Sequence, residues 1–190
     1  MPISKKMIHS VLSAIINDLN NFLRRTVGEA EDKAVLSAIV DQSGNLAFTG
    51  ENKVLASVIN VEHEKVGLNR RGHGMGRSNA PYDLNLYVLL ACYFPGNYDE
   101  ALKFLSLTIA FFQGKQAYTA SNTPALPSGV DRLTLELYGT DMNEQSRLWG
   151  ALGAKLMPSI AIKIRMVSIS REQILEIIPE VRSVETSTLS

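Results

Sequence analysis

The sequence predicts an α+β protein in which a mixed, mainly antiparallel sheet of about five strands is covered by helices. Two observations lead to this class. Segments with the period of a strand are interspersed with segments with the period of a helix, and two strand segments, residues 53–66 and 82–94, have no helix between them. Such neighbours favour an antiparallel hairpin. A chain of 190 residues can bury one sizeable core, so we predict a single domain over residues 1–179 and a C-terminal arm over residues 180–190.

The first element is predicted to be an amphipathic helix. Its apolar residues recur at intervals of three and four and form one stripe: Ile8, Val11, Leu12, Ile15, Leu19, Phe22 and Leu23. Ser4 is a candidate N-cap, and Gly28 lies beyond the predicted end. The stripe indicates a helix packed on the sheet; the alternative is a helix that binds a partner.

Two strands are predicted next. Residues 34–40 are rich in β-branched side chains and end at a turn signal, whereas residues 44–52 have the glycines and asparagines of a loop. Residues 53–66 alternate over the length of a long strand, and the charged residues 62–64 indicate that this strand runs past the core. Neighbouring strand residues point to opposite faces, so we interpret these charges as solvated rather than as a catalytic base with its carboxylates.

Residues 82–94 are predicted to form a central strand, because both of their faces are apolar. Cys92 lies in the middle of this strand, where a small buried hydrophobe is expected rather than a nucleophile. The second helix follows the capping pair Asn97 and Glu100 and is predicted to end at Gly114. Its predicted apolar stripe consists of Tyr98, Ala101, Leu102, Leu105, Ile109 and Phe112, widened by Phe104 and Phe111.

Two further strands complete the predicted sheet. After a predicted loop over residues 115–129, residues 130–138 alternate cleanly, and residues 160–167 alternate again. The side chains predicted to face inward from the first of these strands are Leu133, Leu135 and Leu137. A short last helix is predicted over residues 174–178, and residues 180–190 have the character of a tail.

A third helix is predicted between these two strands. Asp141 and Glu144 form a capping pair at its start, and Gly153 ends it. Trp149 shares one face of this helix with two leucines, which indicates packing in the core rather than a platform for a ligand.

Composition narrows the classes of function. Nineteen Lys and Arg residues balance nineteen Asp and Glu residues, so the chain lacks the excess positive charge that phosphate-dominated binding of nucleic acid requires. Neutrality also favours association with other proteins, because self-repulsion is absent. One cysteine excludes an intrachain disulfide, and the three histidines lack metal-ligand spacing. We expect no metal, no cofactor, no nucleic-acid partner and no enzymatic activity.

The location of the protein is predicted from its apolar segments. The N-terminal sequence MPISKKMIHS lacks the apolar region of a signal peptide. The longest apolar run, Leu86–Phe94, is far shorter than the ~18 residues that a membrane span needs. We therefore expect assembly in the cytoplasm and no insertion into a membrane.

One stretch has part of the chemistry of a phosphate loop. Residues 69–77 combine glycines with Arg70, Arg71 and Arg77, and backbone N–H groups and guanidinium groups both bind anions. A phosphate loop also needs a following helix and a Lys-Ser/Thr ending, which this stretch lacks. Three interpretations stay open: a protruding hairpin tip, a protein contact made by the arginines, or an anion- or nucleotide-binding module.

Several strings, in their order, resemble one known family. They are LNLYVLL (84–90), NYDEALKFL (97–105) leading to FFQG (111–114), LTLEL (133–137), LWGALGAK (148–155), and PSI (158–160) followed by KIRMV (163–167). Together they resemble the tail-terminator (cap) family of contractile injection systems, which are phage-tail-like particles. The resemblance extends over roughly residues 7–178.

The resemblance implies a structural role. Cap proteins of this kind form a hexameric ring on the end of the inner tube and its sheath, end polymerisation and hold the sheath extended. The implied partners are copies of this chain, the sheath protein and the inner tube protein, and no catalytic residues are implied. A ring closes through heterologous contacts, so we hypothesise that the tip with Arg70, Arg71 and Arg77 and the C-terminal arm reach adjacent subunits, tube or sheath. The arm residues assigned to this contact are Val181, Arg182, Val184 and Leu189.

Overall fold

A computed structural model describes residues 7–63, 84–127 and 130–168 of the chain. Within these ranges the elements are α1 (Met7–Val27), β1 (Ala34–Leu36), β2 (Lys53–His63), β3 (Leu84–Tyr93), α2 (Tyr98–Gly114), β4 (Ala117–Thr119), β5 (Val130–Tyr138), α3 (Met142–Leu152) and β6 (Ser159–Ser168). The predicted α+β class is confirmed, although the described residues form six strands rather than about five.

All six strands belong to one sheet with the order β1-β2-β3-β6-β5-β4. The β2–β3 hairpin is antiparallel, as the sequence predicts, and the pairs β3–β6, β6–β5 and β5–β4 are antiparallel as well. Strand β1 runs parallel to its neighbour β2. The sheet is therefore mixed and mainly antiparallel, and β3 and β6 lie at its centre.

The larger core lies between the sheet and the helices α1 and α2. Alternate residues of β3 face this core, because successive side chains of a strand point to opposite faces. These residues are Leu86, Val88, Leu90 and Cys92. Phe104 of α2 stacks on Phe94, with ring centroids 4.9 Å apart. The predicted stripe of α1 also faces this core, which confirms that α1 packs on the sheet.

A smaller core lies on the opposite face of the sheet, where α3 packs. Trp149 is 4% exposed and packs there with Leu55 of β2 and with Leu89 and Ala91 of β3. The side chain of Ile39, from the segment after β1, completes the buried cluster. The predictions that Trp149 is a core residue and that β3 is covered on both faces are both confirmed.

The caps predicted for α2 and α3 are present. Asp141 accepts hydrogen bonds from the backbone N–H of Asn143 and of Glu144, both at 2.8 Å, and Glu144 accepts one from the backbone N–H of Asp141 at 3.3 Å. Gly153 ends α3 with φ of 68°, a left-handed conformation that glycine adopts without a steric penalty. At α2, the Asn97 side chain accepts a hydrogen bond from the Glu100 N–H at 3.2 Å.

Two predicted boundaries are wrong. The strand predicted over residues 34–40 ends at Leu36, because the chain then leaves the sheet and places Ile39 in the smaller core. The loop predicted over residues 115–129 contains β4, because Ala117–Thr119 finds a partner strand in β5. Neither event depends on the local sequence alone.

The buried face of α2 also differs from the predicted stripe. Tyr98 is 65% exposed and Leu102 is 40% exposed. The buried residues of α2 are Ala101, Phe104, Thr108, Phe111 and Phe112. Apolar residues cover most of this helix, so their spacing does not define which side faces the sheet. Leu137, predicted to face inward, is 36% exposed.

Several predictions fall outside the described residues. They concern the cap at Ser4, the end of the strand predicted to residue 66, the connection 69–81, the helix 174–178 and the arm 180–190.

Candidate assembly surface

Four strand ends meet at one end of the sheet, which we call the distal end. His63 is in register with Leu84, Leu84 with Met166, and Val130 with Ser168. The chain between β2 and β3 therefore leaves and re-enters the sheet at the distal end, and the chain beyond β6 begins there too.

The residues that the sequence assigns to contacts attach to this distal end. Arg70, Arg71 and Arg77 belong to the segment that joins His63 to Leu84, and Val181, Arg182, Val184 and Leu189 follow β6; all seven lie outside the described residues. The register brings the attachment points of both segments to the same end of one sheet. Sequence spacing alone does not reveal this proximity, because the two segments lie about 100 residues apart in the chain.

The two halves of strand β2 differ in whether a further strand pairs with their outer edge. β1 pairs with Val54–Ala56, and the last bond of this pairing runs from the Ser37 N–H to the Ala56 carbonyl at 3.1 Å. Within the described residues, no strand pairs with the same side of residues 57–62. We call residues 57–62 the open edge.

The main-chain direction along the open edge follows from its register. Val54 and Ala56 bond outward to the segment that includes β1, and strand alternation gives Val58 the same direction. A β-bulge between Val58 and Asn60 adds one residue, so the outward direction passes to Val61. The Val61 N–H indeed bonds the neighbouring Asn60 side chain, at 2.9 Å, rather than β3.

Apolar side chains are exposed along the open edge. Val58 is 41% exposed and Val61 is 46% exposed, although both belong to a strand whose first four residues, 53–56, are buried. An exposed edge that carries apolar side chains is a template for pairing with another chain.

A polar cleft adjoins the open edge on the face that α3 covers only in part. The Tyr87 hydroxyl donates to the Glu62 carboxylate at 2.8 Å, and the Tyr87 ring meets Tyr138 edge-on with centroids 5.1 Å apart. The Lys163 ammonium lies 5.7 Å from the centroid of the Tyr87 ring. The cleft encloses about 400 Å³ and is lined by Ile59, Asn60, Glu62, Tyr87, Tyr138, Thr140, Glu144, Arg147 and Leu148. Tyrosines and arginine beside exposed strand residues are typical of protein interfaces.

An ionic cluster fixes the segment before β1 to the buried half of β2. The Lys53 ammonium pairs with the Glu31 carboxylate and donates to the Asp32 carbonyl at 2.6 Å. Hydrogen bonds from Lys53 and from Lys33 lower the pKa of Glu31 to about 2. This cluster holds β1 beside residues 54–56, and it does not extend to the open edge.

The one cysteine of the chain lies in the larger core. Cys92 is buried, and burial raises the pKa of its thiol to about 12, so the reactive thiolate is scarce at neutral pH.

Among residues 7–63, 84–127 and 130–168, no three His, Cys, Asp or Glu side chains are grouped as metal ligands. In the same ranges, each helix is too short or too polar to cross a membrane.

Sequence reasoning missed two features of this region. Asn20, within the apolar stripe of α1, is 3% exposed and clamps β1: its amide donates to the Ala34 carbonyl at 2.8 Å and accepts from the Ala34 N–H at 2.7 Å. The signal was a single polar residue next to the buried position Leu19. The pairing of Tyr87 with Tyr138 had no local signal, because it depends on the order of strands in the sheet.

The fold of the chain is similar to that of two solved components of contractile particles. The sheath/tube terminator of the PVC extracellular contractile injection system, in its extended state, is similar over 99% of this chain and 67% of its own, with a TM-score of 0.55 and 14% identity. The anti-feeding prophage tube-terminating cap is similar over 93% of this chain and 60% of its own, with a TM-score of 0.51 and 12% identity. The fold is that of terminators of contractile injection systems.

The family follows from the sequence match. Residues 11–183 match the family model described as the Pvc16 N-terminal domain, and the chain belongs to this family. No curated protein matches the chain. The family match confirms the resemblance to terminators that the ordered strings indicate, and the chain spans three fifths to two thirds of the two structural neighbours.

Proposed function

We propose that this protein is the terminator of a contractile injection system and forms a hexameric ring on the end of the inner tube and sheath. The ring ends polymerisation of the tube and holds the sheath in its extended state. Its partners are copies of this chain, the sheath protein and the inner tube protein, and the ring is assembled in the cytoplasm. The observation that carries this proposal is the family match over residues 11–183.

The surface of the molecule supports a role in assembly. The open edge and the polar cleft lie side by side, and both present groups that bind protein: exposed valines and outward main-chain groups on the edge, tyrosines in the cleft. The balance of nineteen positive and nineteen negative side chains lets copies approach without net repulsion.

We assign the contacts to two segments at the distal end. Residues 1–179 act as one domain and residues 180–190 as an arm. The tip with Arg70, Arg71 and Arg77 and the arm with Val181, Arg182, Val184 and Leu189 contact adjacent subunits, tube or sheath. A closed ring needs two different patches on each subunit, and segments that leave a common end of the sheet supply one of them.

Two experiments test this function. Negative-stain microscopy of the purified protein is expected to show six-fold rings, and a uniform population of monomers that also fails to bind tube or sheath would contradict the proposal. Deletion of residues 180–190 tests the arm: we expect particles with missing caps or altered length. Caps of normal occupancy on particles of normal length would show that the arm is not needed for capping, while leaving the terminator role intact.

A further inference from the structure

We propose that the open edge, residues 57–62 of β2, accepts residues 181–189 of a second copy of this chain as an added strand. This inference rests on the proposed function, because it supplies a subunit contact of the ring. It names both partners of that contact: a sheet edge on one subunit and an arm on the next.

The acceptor is a position at the edge of the sheet that no strand of the described residues occupies. β1 occupies the edge beside Val54–Ala56 and then departs at Ser37, so an added strand would continue the line of β1. Val58 and Val61 direct main-chain groups outward along this line and expose their side chains, and an added strand would replace the Asn60 side chain as the partner of the Val61 N–H. Main-chain hydrogen bonds to an exposed edge and pockets for alternate side chains are the basis of recognition by strand addition.

The occupant has a composition suited to an added strand. Residues 181–189, VRSVETSTL, contain four β-branched side chains and no glycine or proline. Their nine residues exceed the six of the open edge. The segment carries one basic residue, Arg182, and one acidic residue, Glu185, and Arg182 is opposite in charge to Glu62, the one acidic residue of the edge.

The length of the intervening chain allows the arm to reach a neighbouring subunit. β6 ends at Ser168 and lies two strands from β2, so the position beside the open edge of the same subunit is about 15 Å away at a strand spacing of about 4.8 Å. With the helix predicted over residues 174–178, the twelve residues 169–180 span about 30 Å. A linker of this length reaches either its own edge or an adjacent copy, and the closure of the proposed ring through contacts between subunits favours the adjacent copy.

Disulfide trapping in the full chain tests the inference. Val61→Cys is combined in turn with cysteine at positions 182, 184, 186 and 188, and the assembled protein is oxidised and run on a non-reducing gel. We expect at least one pairing to give a ladder of covalent dimers to hexamers. Natural Cys92 does not interfere, because it is buried. The matched control places the second cysteine against Ser43→Cys, an exposed turn residue, and is expected to stay monomeric.

Each other outcome is decisive. A cross-link that forms within one chain, seen as a monomer of altered mobility, would show that the arm covers its own edge and would overturn the proposal. Rings that form without any cross-link in the four pairings would overturn it too, while leaving the terminator role standing. Absence of rings together with failure to bind tube or sheath would instead contradict the proposed function itself.

A backbone variant provides a second measurement. Val61→Pro removes an outward N–H and blocks strand addition, whereas Val61→Thr keeps the main chain and the β-branched shape. We expect Val61→Pro to lose rings and Val61→Thr to retain them, with both variants folded by circular dichroism. Because Val61→Pro removes a bond to Asn60 as well, a second variant, Val58→Lys, is included; it alters only an exposed edge side chain. Rings in all three variants would contradict the inference.

Discussion

The two halves of β2 belong to one alternating strand but differ in burial: the first half is buried and the second is half-buried or exposed. Residues 53–56 are buried, with β1 on their edge, the larger core on one face and Trp149 near the other. Residues 57–62 are half-buried or exposed, and the described strands leave their edge open. The difference comes from elements distant in sequence, which cover the first half and stop short of the second. One half stabilises the fold, and the other carries the subunit contact that we propose.

The largest expected effect comes from matched truncations in the two halves. Leu55→Ala removes a fully buried side chain from the smaller core and is expected to lower the free energy of unfolding by about 2–5 kcal/mol. Val58→Ala, three residues along the same strand, is expected to cost less than about 1 kcal/mol because its side chain is already 41% exposed in the folded protein. Urea denaturation followed by circular dichroism measures both. Equal losses would show that the two halves are not different environments.

Loss of the clamp on β1 is the next largest effect. Asn20→Ala leaves the Ala34 N–H and carbonyl without their side-chain partner and is expected to destabilise the protein by about 1–3 kcal/mol. The matched control is Asn21→Ala, which removes an exposed hydrogen bond to Arg24 and is expected to stay within about 0.5 kcal/mol of the wild type. Thermal unfolding compares the two variants, and similar melting temperatures would refute the clamp.

A smaller effect is expected from the cap of α3, the helix that covers one face beside the buried half of β2. Asp141→Ala removes two hydrogen bonds to the first turn and is expected to cost about 1 kcal/mol. Asp141→Ser, which retains a capping oxygen, is expected to recover most of this loss. The comparison of unfolding midpoints in urea checks both values, and an unchanged midpoint for Asp141→Ala would argue against the cap.

The smallest effect is a pH dependence that comes from Glu31. Its pKa is lowered to about 2, so its contribution is fully present above the ordinary value of 4.5 and is lost as the pH falls toward 2. Glu31→Gln should therefore melt below the wild type at neutral pH, with the difference shrinking between pH 4.5 and 2. The side chain is exposed, so salt should weaken the effect. A difference in melting temperature that is independent of pH would contradict this assignment.

The elements that sequence predicts best are those with local signals. The α3 helix has a capping box, a core tryptophan and a terminal glycine, and all three appear where the sequence places them. The β2–β3 hairpin is likewise marked by two adjacent alternating segments. By contrast, β4 has three residues, too few for a period, and it exists only because β5 supplies a partner.

The open edge is harder to predict from the sequence, because it exists only where the neighbouring strand β1 ends. The sequence assigns the contacts to arginines near residue 70 and to the arm, which lie outside the described residues. It gives no sign that β1 ends after Leu36, and this early end is what opens the edge beside Val58 and Val61. The exposure of these valines follows from strand order, which hydrophobic periodicity does not encode.

The length distribution of assembled particles is the decisive test of the proposed terminator role. Tube and sheath proteins are assembled with this chain and without it, and the particles are measured by electron microscopy. We expect particles of uniform length with a capped end when the chain is present, and tubes of widely varying length with bare ends when it is absent. The same lengths and the same ends in both preparations would contradict the terminator role.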